Sequence, residues 1–257
     1  MGIMHLEQSH HIGIRITSTG PTAATATHLH SPRAALMCPS ADLPSVDIAQ
    51  PPDATHFDPA SCNGRTLYQL LTGGVVPRPI AWISTINRAG VTNLAPFSFF
   101  TVVSVDPPIF AVTQVYPGPH RKNKDTVVNL LETKECVVNV VSDAMAATMN
   151  ATCADYPYGT SEIDALAIKT VHSSVVRVPG VANSSVRFEC TLRDTLDIGN
   201  GRVVLLNVVH IAVDNAVLGH DGNSIDTTLT HLVGRLGGDA YARTDDQFSI
   251  IRPPPPK

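Results

Sequence analysis

The sequence predicts a mainly β protein, built as an antiparallel barrel or sandwich with a few short helices. Three observations lead to this fold class. The chain contains many short runs of β-branched and aromatic residues, and its few helix-like segments do not alternate regularly with strands. It also lacks the glycine fingerprint of a doubly wound dinucleotide-binding sheet. A phosphate-bearing ligand, if bound, would therefore need a different kind of site.

The first strands are predicted from β-forming residues bounded by turn residues. Order is expected to begin near Asp58. Ile80–Ile86 is rich in β-formers and is followed by turn residues at 87–90. Ile109–Val115 is the next strand, because the Asp-Pro-Pro sequence just before it blocks a helix.

Two helices and a buried strand are expected in the middle of the chain. A short helix should open at Lys124 or Asp125 and run to about Thr133. Cys136–Val141 is a candidate buried strand, and Ser142 is a plausible N-cap for a helix that ends near Cys153.

The clearest hairpin lies in the second half. Val186–Asp197 alternates as a strand, Gly199-Asn200-Gly201 supplies the turn, and Arg202–Asp214 returns as an apolar partner. Thr227–Val233 is expected to form one or two helical turns. The tail from Arg252 is extended, because it consists largely of proline.

Composition excludes several classes of partner. The chain has 257 residues, of which 43% are apolar and 16% charged, and its net charge is -4. This balance argues against nucleic acid as a partner. No apolar run approaches the roughly 20 residues of a membrane helix, so no membrane partner is expected either. The five cysteines have neither disulfide-framework nor zinc spacing, and no metal site is predicted.

Residues 1–55 are expected to form a disordered or weakly structured leader before a domain at 56–253 and a Pro-rich tail at 254–257. The leader is rich in Ser, Thr, Pro, Ala and His and lacks sustained periodicity. It is faintly like a mitochondrial transit peptide but has few arginines, so a cytoplasmic location is the prediction and a mitochondrial one the alternative.

The stretch PRPIAWISTINRAGVTNLAPFSFF, residues 77–100, carries most of the chemistry. Arg78 lies between two prolines, so its guanidinium would grip a phosphate, order a loop or simply cap a strand. Trp82 is the only tryptophan and would be core or a neighbour of a flat aromatic ligand. The hydroxyls of Ser84 and Thr85 would serve a ligand or end a strand.

Asn93–Phe100 combines a proline with aromatic residues and a hydroxyl. Pro96 interrupts a strand ladder, so nearby backbone groups would be free for the edge of a heteroaromatic ring. Alternation predicts that Phe97 and Phe99 share one face and that Ser98 and Phe100 share the other. The simpler interpretation is a bulged hydrophobic strand.

A second polar segment, RKNKDTVVN at residues 121–129, coincides with a predicted helix N-terminus. Free N–H groups, Lys124 and the Thr126 hydroxyl would together attract a phosphate, with help from Arg121 or Lys122. Asp125 leaves an alternative open, because as an N-cap it would occupy the same amides.

The order of these motifs and the residues within them resemble those of the flavin reductase-like family. PRPIAWIST, a Gly turn, NLAPFSFF, then DPP, KDT and a VVN strand follow one another as in that family, and RLGGDAY with a closing FxxxRP resembles its C-terminal end. The similarity covers roughly residues 60–253. It implies an FMN-binding split β-barrel, a Greek-key antiparallel barrel that is usually a homodimer with each flavin near the subunit interface.

The resemblance also assigns roles to residues. Asn93, Ala95, Pro96 and Ser98 would line the isoalloxazine, partly through backbone. Trp82, Ser84 and Thr85 would lie near the ring or ribityl chain. Lys124 and Thr126 would bind the phosphate, with Arg78 as a helper.

The activity implied is hydride transfer from NADH or NADPH to flavin N5. Three other interpretations remain at this stage: an FMN-binding electron carrier or sensor without NAD(P)H activity, a flavin-free binding module with the same fold, and a pyridoxamine phosphate oxidase-like role.

Overall fold

The computed structural model describes residues 53–116 and 123–255. One compact unit begins at His56. The predicted leader up to residue 52 and the two loop cations Arg121 and Lys122 lie outside the described residues. Within the described part of the chain, no helix is long and apolar enough to cross a membrane.

The protein is mainly β, as predicted. Its elements include eleven strands, which are β1 Ala81–Ile86, β2 Thr92–Phe97, β3 Phe100–Val105, β4 Pro108–Val115, β5 Glu135–Asn139, β6 Thr170–Val171, β7 Gly180–Val181, β8 Val186–Ile198, β9 Gly201–Val213, β10 Val233–Arg235 and β11 Tyr241–Arg243. Seven of them form one antiparallel sheet in the order β2-β1-β5-β8-β9-β4-β3. The pairs β6–β7 and β10–β11 are separate two-stranded sheets.

Five short helices accompany the strands. They are α1 Gly64–Gly74, α2 Asp125–Thr133, α3 Ala146–Ala151, α4 Glu162–Ala165 and α5 Thr227–Thr230. Single 3-10 turns precede α3 at Asp143–Met145 and follow β9 at Asn215–Val217.

The main sheet curls until its two edges approach one another. β2 and β3 are the edge strands, yet only Ser98 and Phe99 separate them along the chain. Phe97 and Phe100 accordingly pack in the same core cluster, together with Phe110 and Phe188 from β4 and β8. The two edge strands come together at the 98–99 bend without pairing, so the sheet encloses its core as an incompletely closed barrel.

β1 separates two cores, because its side chains alternate between faces. Ile83 lies in the barrel core, with Val138 and Leu206. Trp82 lies on the other side, in a cluster with Leu94 and Met149. β1 is therefore buried on both faces, which explains its unbroken run of apolar and small residues.

The structure confirms the predicted hairpin, with β8 and β9 joined at residues 199–200. It corrects three expectations. The buried strand ends at Asn139 rather than Val141, and Val233 belongs to β10 rather than to a helix. The predicted alternation at 97–100 is wrong, because Ser98 and Phe99 form a bend, so that Phe97 and Phe100 face the same core.

Helix α1 was not predicted. Asn63 caps it by accepting the N–H of Thr66 at 2.9 Å. Of its side chains only Thr72 is fully buried, whereas Tyr68 and Leu71 are exposed. Its apolar residues recur at helical spacing and share one face, which the described chain leaves largely exposed.

Candidate functional site

A large cavity lies where five parts of the chain meet. Its volume is about 800 Å³, within the range of cofactor pockets. The lining comes from the start of α1, the β2–β3 bend, the end of β4, the residue before α2 and the β8–β9 turn. It comprises Gly64, Arg65, Tyr68, Pro96, Phe97, Ser98, Phe99, Thr113, Gln114, Val115, Tyr116, Lys124 and Asn200. Three predicted site residues meet here: Pro96, Ser98 and Lys124.

One wall is the bend between the two edge strands. Pro96 occupies β2 opposite Trp82, which an edge strand permits because one side of it has no ladder partner. After Phe97 the chain turns, and the half-buried Ser98 and Phe99 line the cavity. This wall offers aromatic surface, a hydroxyl and backbone groups of a bent segment, which suits a flat heteroaromatic ligand.

A second wall is the N-terminus of α2. Lys124 occupies the N-cap position without a side-chain cap. Its backbone N–H donates to Gln114 Oε1 at 3.0 Å. Among the described residues, the backbone N–H groups of Asp125 and Thr126 donate to no acceptor. These free amides, with the helix dipole behind them, favour an anion at this place.

The alternative in which Asp125 caps the helix does not hold. The Asp125 carboxylate instead accepts the N–H of Gly159 at 3.2 Å. The amides of Asp125 and Thr126 therefore stay open. The exposed Lys124 ammonium lies 5.3 Å from the ring centroid of Phe97, within the cation–π range.

Arg78 lies beneath the cavity, with only 8% of its surface exposed. Its guanidinium donates to the carbonyls of Thr72 at 2.5 Å, Val75 at 2.7 Å and Leu236 at 2.9 Å. It also donates to Ser98 Oγ at 3.5 Å. The side chain thus joins the end of α1 and the segment after β10 to the bend that lines the cavity.

The backbone of Arg78 strengthens the same junction. It pairs with Arg235 through N–H···O bonds of 2.9 and 2.8 Å. A Cβ at Gly234 would stand 2.8 Å from Pro77 Cβ, so this close approach needs glycine.

The predicted residues of β1 lie in the protein interior. Trp82 is buried and donates its indole N–H to Thr152 Oγ1 at 3.0 Å. Ser84 donates to the Pro179 carbonyl at 2.7 Å. Thr85 accepts from Asn129 Nδ2 at 3.0 Å. None of the three lines the cavity.

Asn93 and Thr126 are paired directly behind the cavity wall. The buried Asn93 amide donates to Thr126 Oγ1 at 2.9 Å, which holds the first turn of α2 against β2. Ala95, the remaining predicted residue of β2, is half-buried and packs against the barrel core.

Glu162 at the start of α4 also binds β2, because its carboxylate accepts the Leu94 N–H at 2.8 Å. Burial raises the pKa of this carboxyl and nearby Asp125 adds to the rise, whereas the Leu94 N–H lowers it.

Several lining residues were not predicted as site residues. Arg65 and Tyr68 come from the unpredicted α1, and Gln114 and Tyr116 from the end of β4. Asn200 was seen only as a turn residue, yet its amide donates to the Tyr116 carbonyl at 3.1 Å and so ties the hairpin to β4. The one indication in the sequence was Gln114, a polar residue in a largely apolar strand, which suggests a polar site at that position.

A network of side-chain hydrogen bonds holds the residues around Tyr116, at the rim of the cavity. Arg202 pairs bidentately with Asp197 at 2.7 and 2.9 Å and donates to Asn123 Oδ1 at 3.0 Å. Tyr116 donates its hydroxyl to the same Asn123 oxygen. Among the described residues there is no cluster of three or more side chains suited to hold a metal ion.

Comparisons with known proteins show the family and the fold of the chain. Residues 73–233 match the model of the family described as "Flavin reductase like domain". A protein of Deinococcus radiodurans is 38% identical in an alignment of 207 residues that covers 77% of this chain and 89% of that protein.

Two solved structures show the fold. Component B of nitrilotriacetate monooxygenase from Bacillus cereus has a TM-score of 0.73 at 29% identity, covering 78% of this chain and 100% of that one. The split barrel domain of a Shewanella frigidimarina protein has a TM-score of 0.67 at 22% identity, with coverage of 78% and 100%. The fold is thus the split barrel, and the chain belongs to the flavin reductase-like family.

Proposed function

We propose that this protein binds FMN in the 800 Å³ cavity and reduces it with NADH or NADPH. The observation that carries the proposal is the α2 N-terminus, where Lys124 lines a cavity walled by aromatic residues and the next two backbone amides are free. An anion site beside an aromatic slot matches a phosphate attached to a flat ring system.

The phosphate would lie at α2. The amides of Asp125 and Thr126 would donate to it and Lys124 would balance its charge. The Thr126 hydroxyl is already held by Asn93, so its part would be to fix the helix position while its amide binds. Arg78 would help phosphate binding only indirectly, by positioning Ser98 and α1, because its guanidinium N–H groups already donate to backbone carbonyls.

The ring would lie along the β2–β3 bend. Pro96 and Ser98 border this space directly, and the backbone of Asn93–Phe97 sets the course of the bend. Ala95, Trp82, Ser84 and Thr85 would support the wall from the two cores. Tyr68 and Arg65 would close the opposite side.

When bound, the flavin would supply hydride-transfer chemistry at N5. The chain's own residues bind the phosphate, orient the ring and exclude water from one of its faces. No side chain of the described residues is assigned a proton-transfer role.

The assembly proposed is a homodimer in the cytoplasm. Exposed apolar residues on α1 and β3, among them Leu71 and Val105, support a second copy as a partner. The Bacillus cereus structure is a component of a monooxygenase, which supports an oxygenase as the acceptor of the reduced flavin. The bacterial source of the Deinococcus radiodurans relative supports the cytoplasm.

The test is an absorbance titration of the purified protein with FMN, and separately with FAD, followed by anaerobic NADH and then NADPH. Tight FMN binding and prompt bleaching would support the proposal and identify the donor. Bound flavin that stays oxidised would favour an electron carrier or sensor. Absence of flavin binding would refute the proposal and leave only a fold shared with the family.

A further inference from the structure

The last described residues carry an apolar segment that the described chain leaves uncovered. Phe248, Ile250 and Ile251 are 85%, 82% and 91% exposed. Residues 247–255 have no regular secondary structure. Within the described part of the chain, residues 248–255 make no backbone hydrogen bond to other elements.

The base of this segment is nevertheless anchored. The Gln247 side-chain amide donates to the carbonyls of Thr244 at 2.6 Å and Thr227 at 3.2 Å. The Thr227 hydroxyl donates back to Gln247 Oε1 at 3.2 Å. The apolar residues that follow therefore leave the body from a fixed point. We name residues 248–252 the C-terminal arm.

A second uncovered surface lies on β3. Among the described residues, this strand pairs only with β4, so its other edge has no partner strand there. Val102, Val103 and Val105 are exposed, the last to 84%. Exposed valines on an open edge invite the addition of another strand.

We propose that the C-terminal arm of one copy adds to the outer edge of β3 in a second copy. This proposal rests on the homodimer of the proposed function and names the segments that hold it. The Phe-Ser-Ile order at 248–250 has the two-residue period of a strand. The prolines from 253 onward lack N–H donors and would end the added strand.

A second copy is the favoured occupant for two reasons. The arm and the edge belong to the same chain, so one two-fold axis would cover both surfaces on both copies. The three arm side chains expose on the order of 150 Å² each. Counting both arms and the surfaces they would cover, burial reaches roughly 1,800 Å², which is the size of a stable interface.

The first test places the photo-crosslinking residue p-benzoylphenylalanine at position 248. Equal amounts of isotopically labelled and unlabelled protein are mixed, equilibrated and irradiated, and crosslinked peptides are identified by mass spectrometry. Mixed-isotope crosslinks to residues 100–105 are expected. Crosslinks confined to a single copy, crosslinks to another region, or none would overturn the proposal.

The second test measures mass by analytical ultracentrifugation. A chain that ends at Gln247 lacks the arm, and its matched control ends at Arg252 and keeps all three apolar residues. Loss of the arm is expected to raise the dimer dissociation constant at least about tenfold, whereas the control leaves it unchanged. Equal dissociation constants would contradict the proposal.

Flavin titration of the same samples separates the two proposals. If the crosslinks form but no flavin binds, the arm proposal stands and the proposed function fails. If flavin is bound and reduced while the crosslinks are missing, only the arm proposal fails.

Discussion

Lys124 carries a charge that no carboxylate among the described residues neutralises by an ion pair. Its ammonium lies above the Phe97 ring, next to free amides at the start of α2. A cation in that position has its largest effect when an anion is bound, because folding alone leaves it solvated.

Replacing Lys124 by Met should therefore weaken FMN binding while leaving the fold intact. A charge-assisted hydrogen bond is worth about 1.5–3 kcal/mol, so the dissociation constant for FMN should rise about ten- to hundredfold. Riboflavin has no phosphate, so its affinity should change little. Fluorescence titration with both ligands measures the difference.

The matched control is Lys169→Met, which removes an exposed lysine outside the cavity lining. It should bind FMN as the wild type does. Equal FMN affinity of the Lys124 variant and the wild type would show that the phosphate lies elsewhere.

Glu189 shows a different use of a single carboxylate. It is buried and accepts the N–H groups of Ser174, Val175 and Val176 at 2.7, 2.6 and 3.0 Å. Burial alone would raise its pKa, but the three N–H donors outweigh burial, and the pKa is lowered. The ionised form thus holds the 174–176 loop against β8.

The sign of the pH dependence follows from that direction. A carboxyl whose pKa is lower in the folded state stabilises the protein above the pKa of the unfolded chain, about 4.3 for Glu. The contribution is lost as the pH falls through the folded pKa. Glu189→Gln should lower the free energy of unfolding at pH 7 by about 1–3 kcal/mol.

The variant should also lose part of the wild-type change in stability between pH 7 and pH 3, as measured by urea unfolding at each pH. Glu135→Gln is the control, because Glu135 pairs with the exposed Arg177 and should affect stability less. A wild-type-like pH profile for Glu189→Gln would contradict this role.

Among the elements, α1 depends on contacts outside its own apolar face. Only Thr72 of the helix is fully buried, and the carbonyls of Thr72 and Val75 at its end are bound by Arg78. Since α1 contributes Arg65 and Tyr68 to the cavity, Arg78 controls one wall without contacting a ligand.

Arg78→Met should destabilise α1, because the C-terminal end of this helix would lose its hydrogen bonds to the guanidinium. Three carbonyls would lose a charged donor, and the free energy of unfolding should fall by about 3 kcal/mol. Hydrogen exchange at residues 64–74 should accelerate, and FMN affinity should fall about tenfold. Arg88→Met, which removes an exposed partner 3.9 Å from Glu132, is the control. Unchanged exchange in α1 would refute the role.

Element prediction from sequence succeeded where the pattern was repeated and local. The β8–β9 hairpin shows long alternation around a Gly-Asn-Gly turn, and both ends of the turn were placed within about one residue. Helix α1 was missed although Leu67, Tyr68 and Leu71 recur at helical spacing, because this pattern spans only about one turn.

The cavity was harder to predict than the fold. Pro96, Ser98 and Lys124 were found because their chemistry is unusual within short motifs. In β1, the sequence shows that the hydroxyls of Ser84 and Thr85 follow Trp82, but it does not show which side of the strand they face. The structure buries both in the protein interior, away from the cavity. Gln114 and Asn200 reach the cavity only through the pairing of β4 with β9, a long-range property.

For the molecule as a whole, the cavity is built from five separated parts of the chain, so a ligand there should stabilise the entire fold. At a free FMN concentration 100 times the dissociation constant, linkage adds about 2.7 kcal/mol. For a body of this size that corresponds to a rise in Tm of about 5–10 °C. The rise should increase with FMN concentration and be smaller for riboflavin.

Trp82 allows unfolding of the second core to be followed separately. It is the only tryptophan, and it lies in the core on the far side of β1 from the barrel interior. If the fold unfolds as one cooperative unit, Tm from Trp82 fluorescence and from the circular dichroism of the strands should rise equally with FMN. A rise limited to circular dichroism would mean that the two cores unfold separately. Since Arg78 and β1 connect both cores to the cavity wall, the structure predicts equal shifts.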